Sequence, residues 1–160
     1  MALASPPVGA HDHEPPSVVM KHRALSQRGR LVSSCWTKAA GFPGLFVTEF
    51  DGSSYVWPER IDIQERARVG LTIGKSAPPM QTDLRYWRRV DAEGRPKGFG
   101  VQFECQFRPR QVDGKLVYVA FFRLPESRGD FFLRMVGRWQ DLEGSDELQD
   151  ATWTFRLRIR

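Results

Sequence analysis

Three observations predict an all-β chain. Apolar and polar residues alternate with period two over the clearest segments; Gly, Asp and Pro interrupt those segments at intervals of about ten residues; and no stretch with a helical apolar period is long enough to cover a sheet. The last observation decides the architecture. Without helices to shield strand edges, about eight to ten meandering strands must close on themselves or stack as two sheets. The expected form is a single antiparallel up-and-down β-barrel, with a two-sheet sandwich as the alternative. A disordered, Pro-rich tail over residues 1–28 precedes the barrel domain at 29–160.

In the tail, Pro6, Pro7, Pro15 and Pro16 break any helix, and His11, Asp12, His13 and Glu14 supply no periodic apolar face. Only residues 17–25 have the length of two helical turns, with Ser17 as N-cap. Strand signals begin at Leu31, with candidates at 31–38, 44–50, either 53–57 or 61–64, 68–73 and 82–90. Segment 99–108 is the clearest: Phe99, Val101, Phe103, Cys105 and Phe107 share one face, and Gln102, Glu104, Gln106 and Arg108 the other. Segment 115–124 is apolar on both faces and is expected to be central and covered on each side. A strand at 130–139 follows. In the last one Trp153, Phe155, Leu157 and Ile159 oppose Thr152, Thr154, Arg156, Arg158 and Arg160. Asp51-Gly52 and Asp113-Gly114 are strong hairpin turns, and Glu93-Gly94 and Arg128-Gly129 weaker ones, because Gly supplies the positive φ that such turns demand.

Eleven Phe, five Trp and three Tyr among 160 residues argue against wholesale disorder. The longest apolar run, seven residues from Leu116 to Phe122, falls far short of the ~20 that a membrane helix needs. Two cysteines, Cys35 and Cys105, are too few for a disulfide-stapled scaffold, and residues 1–25 lack the apolar core of a signal peptide. A cytoplasmic protein is therefore expected.

The net charge is +5 with a pI near 9.6, and 19 of the 24 basic residues are Arg. Arg-heavy usage follows genome base composition, or it builds a surface for phosphate, which the planar guanidinium fork matches in two-point contacts. The Arg residues are scattered along the chain, which argues for a small ligand over an extended nucleic-acid groove.

Catalytic and metal chemistry find little material. His11, His13 and His22 all lie in the tail, so the barrel domain lacks the commonest proton carrier. Cys105 sits on an apolar strand face, and neither cysteine has a CxxC partner. Asp141, Glu143, Asp146, Glu147 and Asp150 fit a solvated loop and not a calcium-binding order of ligands. Residues 70–76 have only the outline of a phosphate loop, one residue short and without a helix behind it. Neither enzyme activity nor a cofactor or metal is expected.

Aromatic and Arg chemistry remains. In 83–90, Arg85, Trp87 and Arg89 alternate with Leu84, Tyr86, Arg88 and Val90, so each face mixes rings with cations. Arg123 and Arg134 interrupt apolar strands and must reach solvent or a partner. Such groups suit a planar anion, rings stacking on a base while guanidinium groups pair with phosphate. The expected ligand-binding residues are Tyr55, Trp57, Tyr86 and Trp87 as stacking platforms, with Arg88, Arg123 and Arg134 as charge partners. Replacing Trp87 is expected to weaken binding without unfolding the chain, and replacing Trp36 to lower stability by about 3–5 kcal/mol.

Ser34-Cys35-Trp36 on the first strand, Gly137-Arg138-Trp139 near the end, and Arg156 and Arg158 on the last strand resemble the signature of the lipocalin-like, or calycin, barrels over residues 29–160. In that family a Gly-x-Trp on the first strand closes one end of the barrel beneath a late Arg; here Ser34 stands where Gly would. The resemblance implies that Trp36 and Arg156 or Arg158 form that stacked pair. The Arg and aromatic content is similar to that of a narrower group, the minimal β-barrel effector domains of bacterial anti-phage signalling, which bind cyclic oligonucleotides. Those usually carry two membrane helices that this chain lacks, so their membrane-disrupting output is not implied, and a haem-binding relative would need an axial His in the barrel. The expected function is non-catalytic binding of a planar anion, such as a nucleotide or cyclic oligonucleotide, in the barrel mouth or lumen. The alternatives are a solid-core protein-interaction or structural module and a lipocalin-type carrier of an apolar ligand.

Overall fold

The structure of the protein, a computed structural model, describes residues 15–37, 45–48, 56–64, 68–74, 78–125, 128–140 and 148–160. Among the described residues every regular element is a strand. In chain order these are β1 (Val18–His22), β2 (Leu25–Arg28), β3 (Arg30–Thr37), β4 (Leu45–Thr48), β5 (Ile61–Ile63) and β6 (Arg68–Ile73). They are followed by β7 (Gln81–Trp87), β8 (Val101–Phe103), β9 (Arg108–Val112), β10 (Lys115–Arg123), β11 (Gly129–Gln140) and β12 (Leu148–Ile159).

The ladders form two sheets. A five-stranded antiparallel sheet runs β2-β1-β6-β10-β9, and a seven-stranded one runs β4-β3-β12-β11-β7-β8, with β5 added parallel to β12. No ladder joins the two sheets into a closed ring among the described residues. Period-two alternation sets their inner faces. Val18 and Met20, Val69, Leu71 and Ile73, and Phe122 come from the small sheet. They meet Leu84, Phe131, Leu133, Met135, Trp153, Phe155, Leu157 and Ile159 from the large one, in a single cluster of 18 buried apolar residues. These side chains fill the space between the sheets.

Residues 18–28, assigned to the tail by composition, form the β1–β2 hairpin, and the two helical turns expected at 17–25 are absent. Val18 and Met20 are fully buried, and Met20 lies opposite Leu71 of β6. That partner is some fifty residues away in sequence, so no local period in a five-residue strand reveals it. Residues 1–14, with His11 and His13, lie outside the described residues, as does Asp51-Gly52. The Asp113-Gly114 hairpin is present, with φ of 51° and 76°, the pair of positive values a type I′ turn needs.

Segment 99–108 is not one strand. It pairs as β8 on the edge of the large sheet and resumes as β9 on the edge of the small one, with Glu104 to Phe107 unpaired between. Phe103, Cys105 and Phe107 still pack on the core, so the side-chain alternation survives where the ladder does not. The expected double covering of 115–124 also fails: β10 packs one face on the core and leaves Phe121 41% exposed on the other.

On the opposite flank the sheets are stitched by one side chain. Gln27 of β2 is 6% exposed; its Nε2 donates to the carbonyls of Arg156 (2.7 Å) and Glu59 (2.5 Å), and its Oε1 accepts from the Arg156 backbone N–H (2.8 Å). The amide thus copies a strand neighbour for β12. Gly29 then carries the chain from β2 to β3 past Phe155, whose Cζ would lie 2.6 Å from a Cβ at that position. Gln27→Ala strands both backbone groups of Arg156, and is expected to lower stability by about 2–4 kcal/mol, read as a lower urea midpoint at unchanged m.

Candidate functional site

Of the residues expected to bind ligand, Trp87 and Arg134 stand on the outer face of the large sheet and Trp57 lies against it. Trp87 of β7, Phe132 of β11 and Arg156 of β12 lie side by side in register, as do Arg85, Arg134 and Thr154 one step along. Arg134 stacks over the Trp87 ring at 5.1 Å and Arg156 over Phe132 at 5.2 Å. Trp57 meets Phe132 edge-on at 5.1 Å and donates its Nε1 hydrogen to the Gly94 carbonyl. Trp87 donates likewise to Gly98, and the Thr154 hydroxyl to Val56. Residues 56–57 and 94–98 therefore lie against this face, leaving Trp87 and Phe132 each 6% exposed and Thr154 fully buried. Tyr86 points the other way, into the core against Phe103 and Phe131, and Arg88 stacks over Phe131 at 4.1 Å while donating to the carbonyls of Asp130 and Arg128. Tyr55 lies outside the described residues.

These groups form a cation–aromatic layer engaged with itself. Its charge is balanced locally: Asp83 pairs with Arg85 (3.2 Å) and Arg134 (3.7 Å), and Arg60 reaches both Asp62 (3.3 Å) and Asp130 (3.5 Å). The hydrogen bond from Arg160 is the largest influence on Asp62; with the attraction of Arg60 and Arg158 it outweighs burial and holds the carboxyl below its ordinary range. Arg156 covers Phe132, and Trp139 meets Trp153 edge-on at 6.0 Å; the Trp36 side chain, expected to stack with Arg156 or Arg158, lies outside the described residues.

Arg123 stands on the other sheet, and there the electrostatics differ. The five strands β1, β2, β6, β9 and β10 contain Lys21, Arg28, Arg68, Arg108, Arg110, Lys115 and Arg123, and not one Asp or Glu. Registers Val19↔Arg28, Phe121↔Gly70, Arg123↔Arg68, Val119↔Arg108 and Val117↔Arg110 put all seven cations on the outer face, opposite the buried Val69, Leu71 and Phe122. All seven side chains are exposed, and none forms an ion pair with a described carboxylate. Toward the β9 edge, Arg68, Arg108, Arg110, Val119 and Phe121 of β6, β9 and β10 line an open cleft of about 500 Å³. The Arg68 guanidinium lies 4.1 Å from the Phe121 ring centre. Gly70 permits this: a Cβ there would lie 3.1 Å from the Phe121 ring, so its absence gives the ring room to lie over β6.

Arg68, Arg108, Arg110 and Phe121 were not singled out from the sequence. The Asp113-Gly114 turn was the available signal for two of them, since counting back from it places Arg110 opposite Val117 and Arg108 opposite Val119. Nothing local reports Arg68.

Among the described residues no group of three or more His, Cys, Asp or Glu is placed to hold a metal ion, and no helix is long and apolar enough to cross a membrane. His22 is buried with Nδ1 3.1 Å from the Arg68 carbonyl. Burial pushes the Cys105 thiol up to about 11, with the Asp83 charge adding to it. The chain matches no protein-family model, no curated protein and no solved structure.

Trp87→Ala removes a ring packed on both sides and is expected to lower stability by about 3 kcal/mol or more in urea titration, contrary to the expectation drawn from sequence. Cys105 keeps its proton in the folded chain at pH values where the unfolded chain loses it, so its contribution to stability declines as pH rises from about 9 to about 11. Peptide-resolved alkylation at pH 8 should accordingly modify Cys105 much more slowly in native than in urea-unfolded protein.

Proposed function

We propose that the protein is a non-catalytic binding module for a planar, phosphate-bearing ligand of the nucleotide class, held on the outer face of the five-stranded sheet. The observation that carries this reading is the half-exposed Phe121 ring beside Arg68, Arg108 and Arg110, in a sheet without a carboxylate. A base stacks on the ring while guanidinium groups take the phosphate in two-point contacts, and no acid on the sheet competes for them. The location moves from a barrel lumen to an outer surface because the interior is occupied. An apolar cargo between the sheets would need the volume that Phe122, Phe131, Trp153 and Phe155 fill. The solid-core alternative is favoured by the same packing, and an external ligand face is compatible with it.

In this reading the two sheets act as one flattened barrel of the lipocalin-like kind in the cytoplasm. The Gln27 bridge on one flank and the β8-to-β9 crossing on the other favour that view.

Calorimetric titration with AMP and a cyclic dinucleotide, with oleate as apolar control, tests the proposal. Phe121→Ala and Arg68→Ala should each weaken nucleotide binding about tenfold while changing stability by about 1 kcal/mol or less. Binding of oleate alone, or nucleotide binding unaffected by both changes, would overturn it.

A further inference from the structure

We infer that the outer face of the five-stranded sheet is a platform for single-stranded nucleic acid, running beyond the nucleotide cleft across all five strands. The inference rests on the proposed nucleotide-class reading of that cleft and extends it to a polymer.

Three features lead there. The first is the extent of the charge. Arg28 on β2, Lys21 on β1, Arg68 on β6, Arg123 and Lys115 on β10, and Arg108 and Arg110 on β9 distribute cations over every strand of the sheet. At ~4.8 Å between strands, the face is about 19 Å across. A single nucleotide in the cleft touches Arg68, Arg108 and Arg110 on the β9 side; a chain of phosphates is needed to engage the rest. The second is sign purity. The other sheet carries Asp62, Asp83, Asp130 and Asp150 among its Arg residues, and pairs three of them. The basic sheet has no internal neutralisation, so a polyanion gains the full counterion-release term there. The third is shape. A five-stranded face is too wide for a major groove of about 12 Å, which admits a helix or a two-stranded ribbon. The exposed Phe121 ring on that face is of use only to a base that is already unstacked, and bases in a duplex are not.

Fluorescence anisotropy with labelled dT12, the matching 12-base-pair duplex, poly-glutamate and AMP, each from 50 to 200 mM NaCl, tests the inference. For about five neutralised phosphates, log Kd for dT12 should change with log salt with a slope of magnitude about 3.5, and dT12 should bind more tightly than the duplex. Phe121→Ala should weaken dT12 binding about tenfold. Arg123→Ala and Lys115→Ala, outside the cleft, should each reduce the salt slope by about 0.7, and Arg158→Ala on the other sheet should leave it unchanged. AMP binding with dT12 no tighter, and with Arg123→Ala and Lys115→Ala silent, would overturn the platform and leave the nucleotide cleft standing. Preference for the duplex or for poly-glutamate, with Phe121→Ala silent, would overturn it in favour of a purely electrostatic surface. Failure of both AMP and dT12 would remove the two readings together.

Discussion

The structure depends on how two sheets, which share no ladder among the described residues, are held face to face, and the Gln27 amide is a directed interaction that does so. A strand edge is a row of unpaired N–H and C=O groups, and leaving them unpaired where water is excluded costs about 1–3 kcal/mol each. At Arg156 the neighbouring chain supplies no backbone for pairing. A side chain with one donor end and one acceptor end, held by β2, satisfies both groups at 2.7 and 2.8 Å and spends its second donor on Glu59. Gly29, two residues on, lets the chain pass over Phe155 into the other sheet. Hydrophobic packing supplies the bulk of the cohesion between the sheets, and this bridge fixes their relative register on that flank.

With the interior filled, the outer faces of the two sheets offer broad surfaces for interaction, and they are unlike. On the large sheet, Arg and aromatic residues are interleaved with Asp and lie against residues 56–57 and 94–98, so Arg85, Arg134 and Arg156 are engaged by rings or carboxylates. The small sheet has exposed cations of one sign around a ring that is itself 41% exposed. Arg beside an aromatic ring thus has two meanings in one chain. Trp87 with Arg134 is a packed layer that stabilises the fold; Phe121 with Arg68 is an open one. Burial and the presence of Asp83 separate the two cases, and neither is a property of the local sequence.

This difference explains why the scatter of Arg along the chain was a poor guide to surface charge. Arg28, Arg68, Arg108 and Arg123 are separated by fifteen to forty residues, yet antiparallel pairing through β1, β6, β10 and β9 sets them on one face. Strand pairing sorts residues by parity: the registers set these cations on one side of the sheet, opposite the buried Val18, Met20, Leu71 and Phe122. A sheet assembled from dispersed strands therefore concentrates charge that a linear reading sees as dilute.

By itself, the sequence determined that the chain is all-β, where most strands fall, which face of β11 and β12 is apolar, and where the Asp113-Gly114 turn reverses the chain. These follow from period-two alternation and from backbone preferences, both local. Only the tertiary structure decided that residues 18–28 join the fold, that segment 99–108 changes sheets, and that the ladders close as two sheets. It likewise decided that Trp87 is packed while Phe121 is open. Each of these depends on a partner distant in sequence: Leu71 for Met20, the β10 edge for β9, and residues 94–98 for Trp57 and Trp87. The energy of such a pairing belongs to two segments at once, and so is written in neither.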